Sequence, residues 1–117
     1  MPTASGTGPF DAERLLDLVD GDLDLLAEMN VLLWEDVPRW LESIEHAGAH
    51  RDGKALASSC HALRGALGNF FAPKATAYVE ELERCGENER FDEFDAQHRE
   101  LREELKALES ALGRFLD

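Results

Sequence analysis

Residues Ala57 to Ala72 read ASSCHALRGALGNFFA, and the rest of the chain is organised around this stretch. Set on a helix at about 100° per residue and measured from His61, the residues Leu56, Leu63, Leu67 and Phe70 fall at roughly 220°, 200°, 240° and 180°. That is one narrow apolar stripe, as a helix packed against a core requires. Ala57, Arg64, Gly65 and Gly68 fall at about −40°, −60°, +40° and −20°, beside His61 itself. The face turned away from the core therefore holds one imidazole, one guanidinium and little other side-chain bulk.

Two glycines inside a helix are destabilising, by roughly 1 kcal/mol each relative to alanine. A glycine that lets two helices approach belongs on the apolar stripe, and Gly65 and Gly68 lie opposite it. The pattern predicts instead that they clear space so that another molecule can reach His61.

His61-Ala62-Leu63-Arg64-Gly65, followed by Gly68-Asn69-Phe70, resembles the signature of histidine phosphotransfer (Hpt) domains. In that family the pattern is His-x-Leu-Lys-Gly, carried on the second of four long bundle helices. The resemblance implies that His61 is the phosphoryl acceptor, that Arg64 stands in for the helper lysine, and that Gly65 is the clearance glycine. There is one departure: Phe71 occupies a position where the family commonly has glycine.

At 117 residues the chain is one domain, large enough for a single core. Its two cysteines and lack of a signal-like apolar run suit a reduced, cytoplasmic protein. No stretch approaches the ~18 apolar residues of a membrane span, and a formal charge of −13 argues against nucleic acid as a partner. The charge is unevenly spread. Between Arg51 and Val79 four bases (Arg51, Lys54, Arg64, Lys74) face one acid, Asp52, so this segment is +3 and the remainder −16. Lys54 lies one heptad before His61 at about +20° on the same face. A local positive patch would suit a phosphoryl group of about −1.5 to −2 charges.

Residues 1–9, MPTASGTGP, read as a mobile tail, and residues 10–117 as the folded domain. Phe10 to Val19 predicts a short helix, ended by Asp20-Gly21-Asp22. A second helix is expected from Asp22 to about Ala47, with Leu23, Leu26, Asn30, Leu33, Val37, Trp40 or Leu41, and Ile44 as its inward period and a kink near Trp34 caused by Pro38. His46-Ala-Gly-Ala-His50 reads as a linker rather than a metal site, since no third ligand accompanies the pair. Asp52 is the expected N-cap of the His61 helix, and Pro73 the first residue of the next, with Gly86 as its stop. The last helix is the most regular: Phe91, Phe94, His98, Leu101, Leu105, Leu108, Leu112 and Phe115 recur at spacings of three and four. His98 takes an inward position there. The sum is an all-α, antiparallel four-helix bundle with an additional short N-terminal helix, the architecture the resemblance also implies.

No phosphate-binding loop, dinucleotide fingerprint or nucleophile elbow is present. Ser58 and Ser59 fall at about 60° and 160° from His61, and no adjacent acid orients a triad. Glu80, Glu81 and Glu83 read as one solvated helix face. Cys60 and Cys85 lack metal or redox spacing, and Cys60 borders the core stripe. The expectation is a monomeric phosphocarrier without an ATP site, metal or cofactor of its own. By the resemblance, His61 takes a phosphoryl group from a phospho-aspartate of a receiver domain, belonging to a response regulator or a hybrid histidine kinase, and returns it to another; the receiver carries the magnesium. Ala57, Gly65, Gly68 and Lys54 would form the docking face, with Arg64 stabilising charge. The alternatives are an adaptor bundle that binds a receiver or kinase without carrying phosphate, and a dimerisation domain built on the last helix.

Overall fold

In the computed structural model, which describes residues 8–117, five helices follow one another: α1 (Ala12–Leu18), α2 (Leu23–Ala49), α3 (Gly53–Gly68), α4 (Pro73–Glu87) and α5 (Phe94–Leu116), the last preceded by a 3-10 turn at Phe91–Glu93. Residues 1–7, most of the stretch read as a tail, lie outside the described residues. Among the described residues there is no strand. Short connections make α2 to α5 antiparallel neighbours, and α1 closes the end of the bundle where α3 stops and α4 starts.

Three aspartates start helices as expected of N-caps. Asp11 Oδ1 accepts from the Arg14 N–H at 3.2 Å, Asp22 from Leu25 at 3.0 Å and Asp52 from Ala55 at 3.0 Å. Pro73 opens α4 without a side-chain cap. Between these starts the apolar period closes the core. Leu56, Leu63 and Leu67 of α3 are fully buried with Leu26 and Ile44 of α2, Val79 and Leu82 of α4, and Leu101, Leu108 and Leu112 of α5. Asn30 interrupts the α2 stripe because it serves Trp34, whose indole Nε1–H donates to Asn30 Oδ1 at 2.8 Å.

Four expectations are corrected. The segment His46-Ala-Gly-Ala is not a linker: α2, which runs through Pro38 without a break as its continuing stripe predicts, extends through it to Ala49. Ala47 is buried, and Gly48 leaves room for the Phe94 ring, so this end of α2 is core-facing helix. Gly86 does not stop α4. It lies inside the helix, buried, where an added Cβ would sit 2.7 Å from the Gly53 carbonyl oxygen and 2.9 Å from the Ala57 nitrogen. Leu23, placed on the inward stripe by its spacing, is half-exposed, and Phe91 belongs to the 3-10 turn and not to α5.

Past the C-terminus of each of α1 to α4 stands a left-handed residue, and none of these four is glycine: Asp20 (φ 56°), Arg51 (φ 52°), Phe71 (φ 51°) and Glu89 (φ 54°). After α4 the Glu89 N–H donates to Gly86 O at 3.3 Å and the Arg90 N–H to Cys85 O at 2.8 Å, the paired bonds of a Schellman ending. A non-glycine residue in this region costs about 1–2 kcal/mol.

Replacement of the exposed Glu89 by glycine is therefore expected to raise stability by about 1 kcal/mol. Gly86→Ala, by contrast, should lower stability by roughly 1–3 kcal/mol through overpacking. Denaturant melts of both variants check this; a stabilised Gly86→Ala would show that α3 and α4 are not held backbone to backbone.

Candidate functional site

The burial of Leu56, Cys60, Leu63 and Leu67 fixes the rotation of α3, and this turns His61 outward with 68 % of its side chain exposed. An added Cβ at Gly65 or Gly68 would meet nothing within 4 Å. The two glycines are exposed and clear the surface on the C-terminal side of the imidazole, as their positions on the wheel indicated. Lys54 is exposed, nearly two turns before His61. Ala57, on the same helix, is half-buried and turned toward α4, where it lines with Lys54 a groove of about 810 Å³ that also includes His50, Arg51 and Gly86.

One residue that the sequence reading left aside joins this group. Glu83, on α4, has only 14 % of its side chain exposed and places Oε2 3.5 Å from His61 Nδ1 and Oε1 3.6 Å from Arg64 Nη1. Glu80 Oε2 stands 3.7 Å from the same Nη1. The antiparallel register that sets Glu83 against His61 also sets Glu80 against Arg64, whereas Glu81 turns away to pair with Arg84. The three acids are thus not one solvated face. The ring is also not surrounded by a simple positive patch, because α4 brings two carboxylates to the single guanidinium beside it.

Arg64 Nη2 lies 3.0 Å from His61 Nδ1. A guanidinium can only donate, so in this contact Nδ1 is the acceptor and a neutral ring carries its proton on Nε2. Glu83 can only accept when ionised, and a bond to it requires the proton on Nδ1. Nδ1 therefore has two rival partners that select opposite tautomers, and Nε2 is left for a reaction partner.

The remaining titratable groups are structural. Cys60, next to His61 in sequence, is fully buried, and burial above all, then Glu83 and Cys85, pushes its thiol up to about 12, so it is inert near neutrality. Cys60 and Cys85 are both free thiols. His46 and His50 stack with ring centroids 4.1 Å apart, and among the described residues no group of three ligands suits a metal ion. His98 of α5 stacks on Phe94 at 5.3 Å and sets Nε2 3.3 Å from Glu45 Oε2.

An all-helical bundle with an exposed histidine set beside a cation and a glycine-cleared approach defines a class of protein. The Hpt domain family matches residues 28–111, and the chain belongs to that family. It is a phosphotransfer module of two-component signalling, of a kind that carries phosphate rather than acting as a kinase. Among solved structures it is similar to the Hpt domain of an Hpt sensor hybrid histidine kinase from Shewanella: 24 % identity, a TM-score of 0.74, and coverage of 92 % of this chain and 93 % of that one. That likeness supports the fold. Among curated proteins, none is similar enough to be counted a relative. No helix among the described residues is long and apolar enough to cross a membrane.

Burial lowers the pKa of His98, outweighing the Glu45 carboxylate that favours its charged form. A histidine whose folded pKa lies below its unfolded value binds its proton more readily in the unfolded chain. Stability should then fall as pH drops through the ordinary histidine range near 6.5 toward the lowered folded value. The slope of stability against pH between 7 and 5 should flatten in a His98→Gln variant, and an unchanged slope would assign the dependence to other groups.

Proposed function

We propose that His61 accepts a phosphoryl group from the phospho-aspartate of a receiver domain and returns it to the aspartate of another, and that it does so through Nε2. The observation that carries this reading is the geometry at the ring: the imidazole is exposed, its Nδ1 is held from behind by α3 and α4 residues, and the surface ahead of it is bare. In the forward step the Nε2 lone pair attacks phosphorus, the P–N bond forms, and the P–O bond to the aspartyl carboxylate breaks with its electrons leaving on the carboxylate. Attack by Nε2 needs the ring proton on Nδ1, and Glu83 is the group placed to accept it. When Arg64 lets go of Nδ1, its guanidinium is free to meet the oxygens of the incoming phosphoryl group. The receiver brings the magnesium ion, and this chain adds no cofactor.

The docking face consists of the bare surface at Gly65 and Gly68 with Ala57 and Lys54 at its flank. The chain works as a monomer in the cytoplasm. The apolar run of α5 supports the first point, because Leu101, Leu105, Leu108 and Leu112 are all spent in the chain's own core. The free state of both cysteines suits the second.

His61→Gln should abolish acid-labile label from phosphorylated receivers while thermal stability stays nearly unchanged, since the ring makes no core contact. Label retained on that variant would move the site to another histidine. Arg64→Ala should slow transfer about ten- to a hundredfold, the worth of one charge-assisted contact of roughly 1.5–3 kcal/mol, and Arg64→Lys should largely restore it. Glu83→Gln should also slow transfer, and the nitrogen NMR chemical shifts of the ring should show less of the Nδ1–H tautomer. An unaltered tautomer balance would remove Glu83 from the mechanism.

Gly65 separates stability from function. Gly65→Ala should raise helix stability by up to about 1 kcal/mol. Gly65→Gln should fold equally well yet transfer poorly, because its side chain occupies the approach to His61. A Gln variant at full rate would show that the cleared face is not the route of the receiver.

A further inference from the structure

The cleared face does not end at Gly68. That residue is also one wall of a groove of about 320 Å³ between α1 and the α3–α4 turn, lined further by Arg14, Phe71, Ala72, Pro73 and Thr76. Gly68 is seven residues beyond His61, about 10 Å along the helix. The bare strip beside the imidazole thus runs without interruption into the groove.

Phe71 is the unexpected resident. Its φ of 51° lies in the region that large side chains avoid. The other left-handed helix ends are Asp20, Arg51 and Glu89, all exposed and polar, whereas Phe71 is half-buried at the rim of the core. The tether between α1 and this turn does not need the ring, because it is a backbone bond, Asp11 N–H to Phe71 O at 2.9 Å. A glycine would make the same bond without strain. The side chain instead carries the Arg14 guanidinium, whose Cζ lies 4.9 Å from the ring centroid. The result is an apolar platform with a cation over it. The one acid at the groove, Asp11, turns an oxygen to the start of α1, where it caps the Arg14 N–H.

We infer that Phe71 and Arg14 form a second contact point for the docking receiver domain, taking an apolar side chain of the receiver on the Phe71 platform with a receiver carboxylate against Arg14. This rests on the phosphotransfer reading of His61 and adds to it the residues that select among receivers. Two features commit the groove to that partner. It continues the strip that the receiver must cover to reach His61, and the cation of Arg14, on a chain of charge −13, offers a receiver carboxylate a local attraction that most of the surface does not.

The test measures transfer from a panel of acetyl-phosphate-labelled receiver domains to the full chain and to Phe71→Gly, Phe71→Leu and Arg14→Ala, together with direct labelling by phosphoramidate, which needs no docking. Phe71→Gly keeps the backbone conformation, and Arg14→Ala leaves the turn untouched, so at least one informative variant folds. The expected result is a KM raised about tenfold for the preferred receiver in both Phe71→Gly and Arg14→Ala, with kcat and phosphoramidate labelling unchanged and partial recovery in Phe71→Leu. KM values within twofold of the parent for every receiver overturn the contact while leaving the role of His61 intact. Label on His61 from phosphoramidate but from no receiver overturns both the contact and the receiver reading. Absence of label on His61 from either donor overturns phosphotransfer itself.

Discussion

The arrangement depends on how closely α3 and α4 approach. Gly53 and Gly86 face each other so tightly that a methyl group on either would press into the backbone of the other helix. Interiors are packed to near-crystalline density and resist such insertions. A contact of this kind admits one register, and the register decides which α4 side chains stand opposite His61. Slide α4 by one turn and Glu83 no longer reaches Nδ1, nor Glu80 the guanidinium. The glycine pair lies two to three turns from the imidazole, yet it sets the chemical surroundings of the ring.

Those surroundings are balanced rather than attractive. One guanidinium sits among two carboxylates and an imidazole, all at or near the surface, where such pairs are individually worth about 0–1 kcal/mol. Weak pairing is what a carrier requires. A cation locked to Glu83 in a buried bridge would be unavailable to a phosphoryl group, and a strongly positive pocket would hold phosphate and release it slowly. Arg64, poised between Nδ1 and two acids at 3.0 to 3.7 Å, exchanges one partner for another at little net change in free energy.

How much of this was legible in the sequence follows from the range of each interaction. The rotation of α3, the exposure of His61, the open space at Gly65 and Gly68, the Asp52 cap and the Pro73 start all depend on residues within a few turns, and periodicity and capping chemistry exposed them. Gly86 misled because a glycine near a helix end resembles a stop, and only the neighbouring helix reveals that it is a packing contact. The end of α2 was misread for the same reason: Gly48 looks like a breaker until the Phe94 ring is seen to fill the space it leaves. Glu83 was missed because its partners lie about twenty residues away. A signal did exist, since a four-residue connection between α3 and α4 forces antiparallel pairing. The register needed to name Glu83 came from the glycine contact that had been read as a terminus.

The bundle is not equally tight throughout. The contact of α3 with α4 is the most extensive, and that of α2 with α5 the thinnest of the four between neighbouring long helices. Along the α2–α5 seam Trp34, Pro38 and Leu41 border a groove with Arg102 and Leu105, and the seam is held near one end by Phe94 on Gly48 and by the Glu45 carboxylate shared between His98 and Arg102. Pro38 removes a backbone donor from α2 on this side. Among the described residues, the polar side chains set against the His61 ring come from α3 and α4. Phosphoryl transfer relies on positioning, and small misplacement of the reacting groups is costly in rate. The chain accordingly places its histidine on the pair of helices whose spacing is fixed by backbone contact, and leaves its looser seam, where α2 and α5 meet, between helices that contribute nothing to the ring.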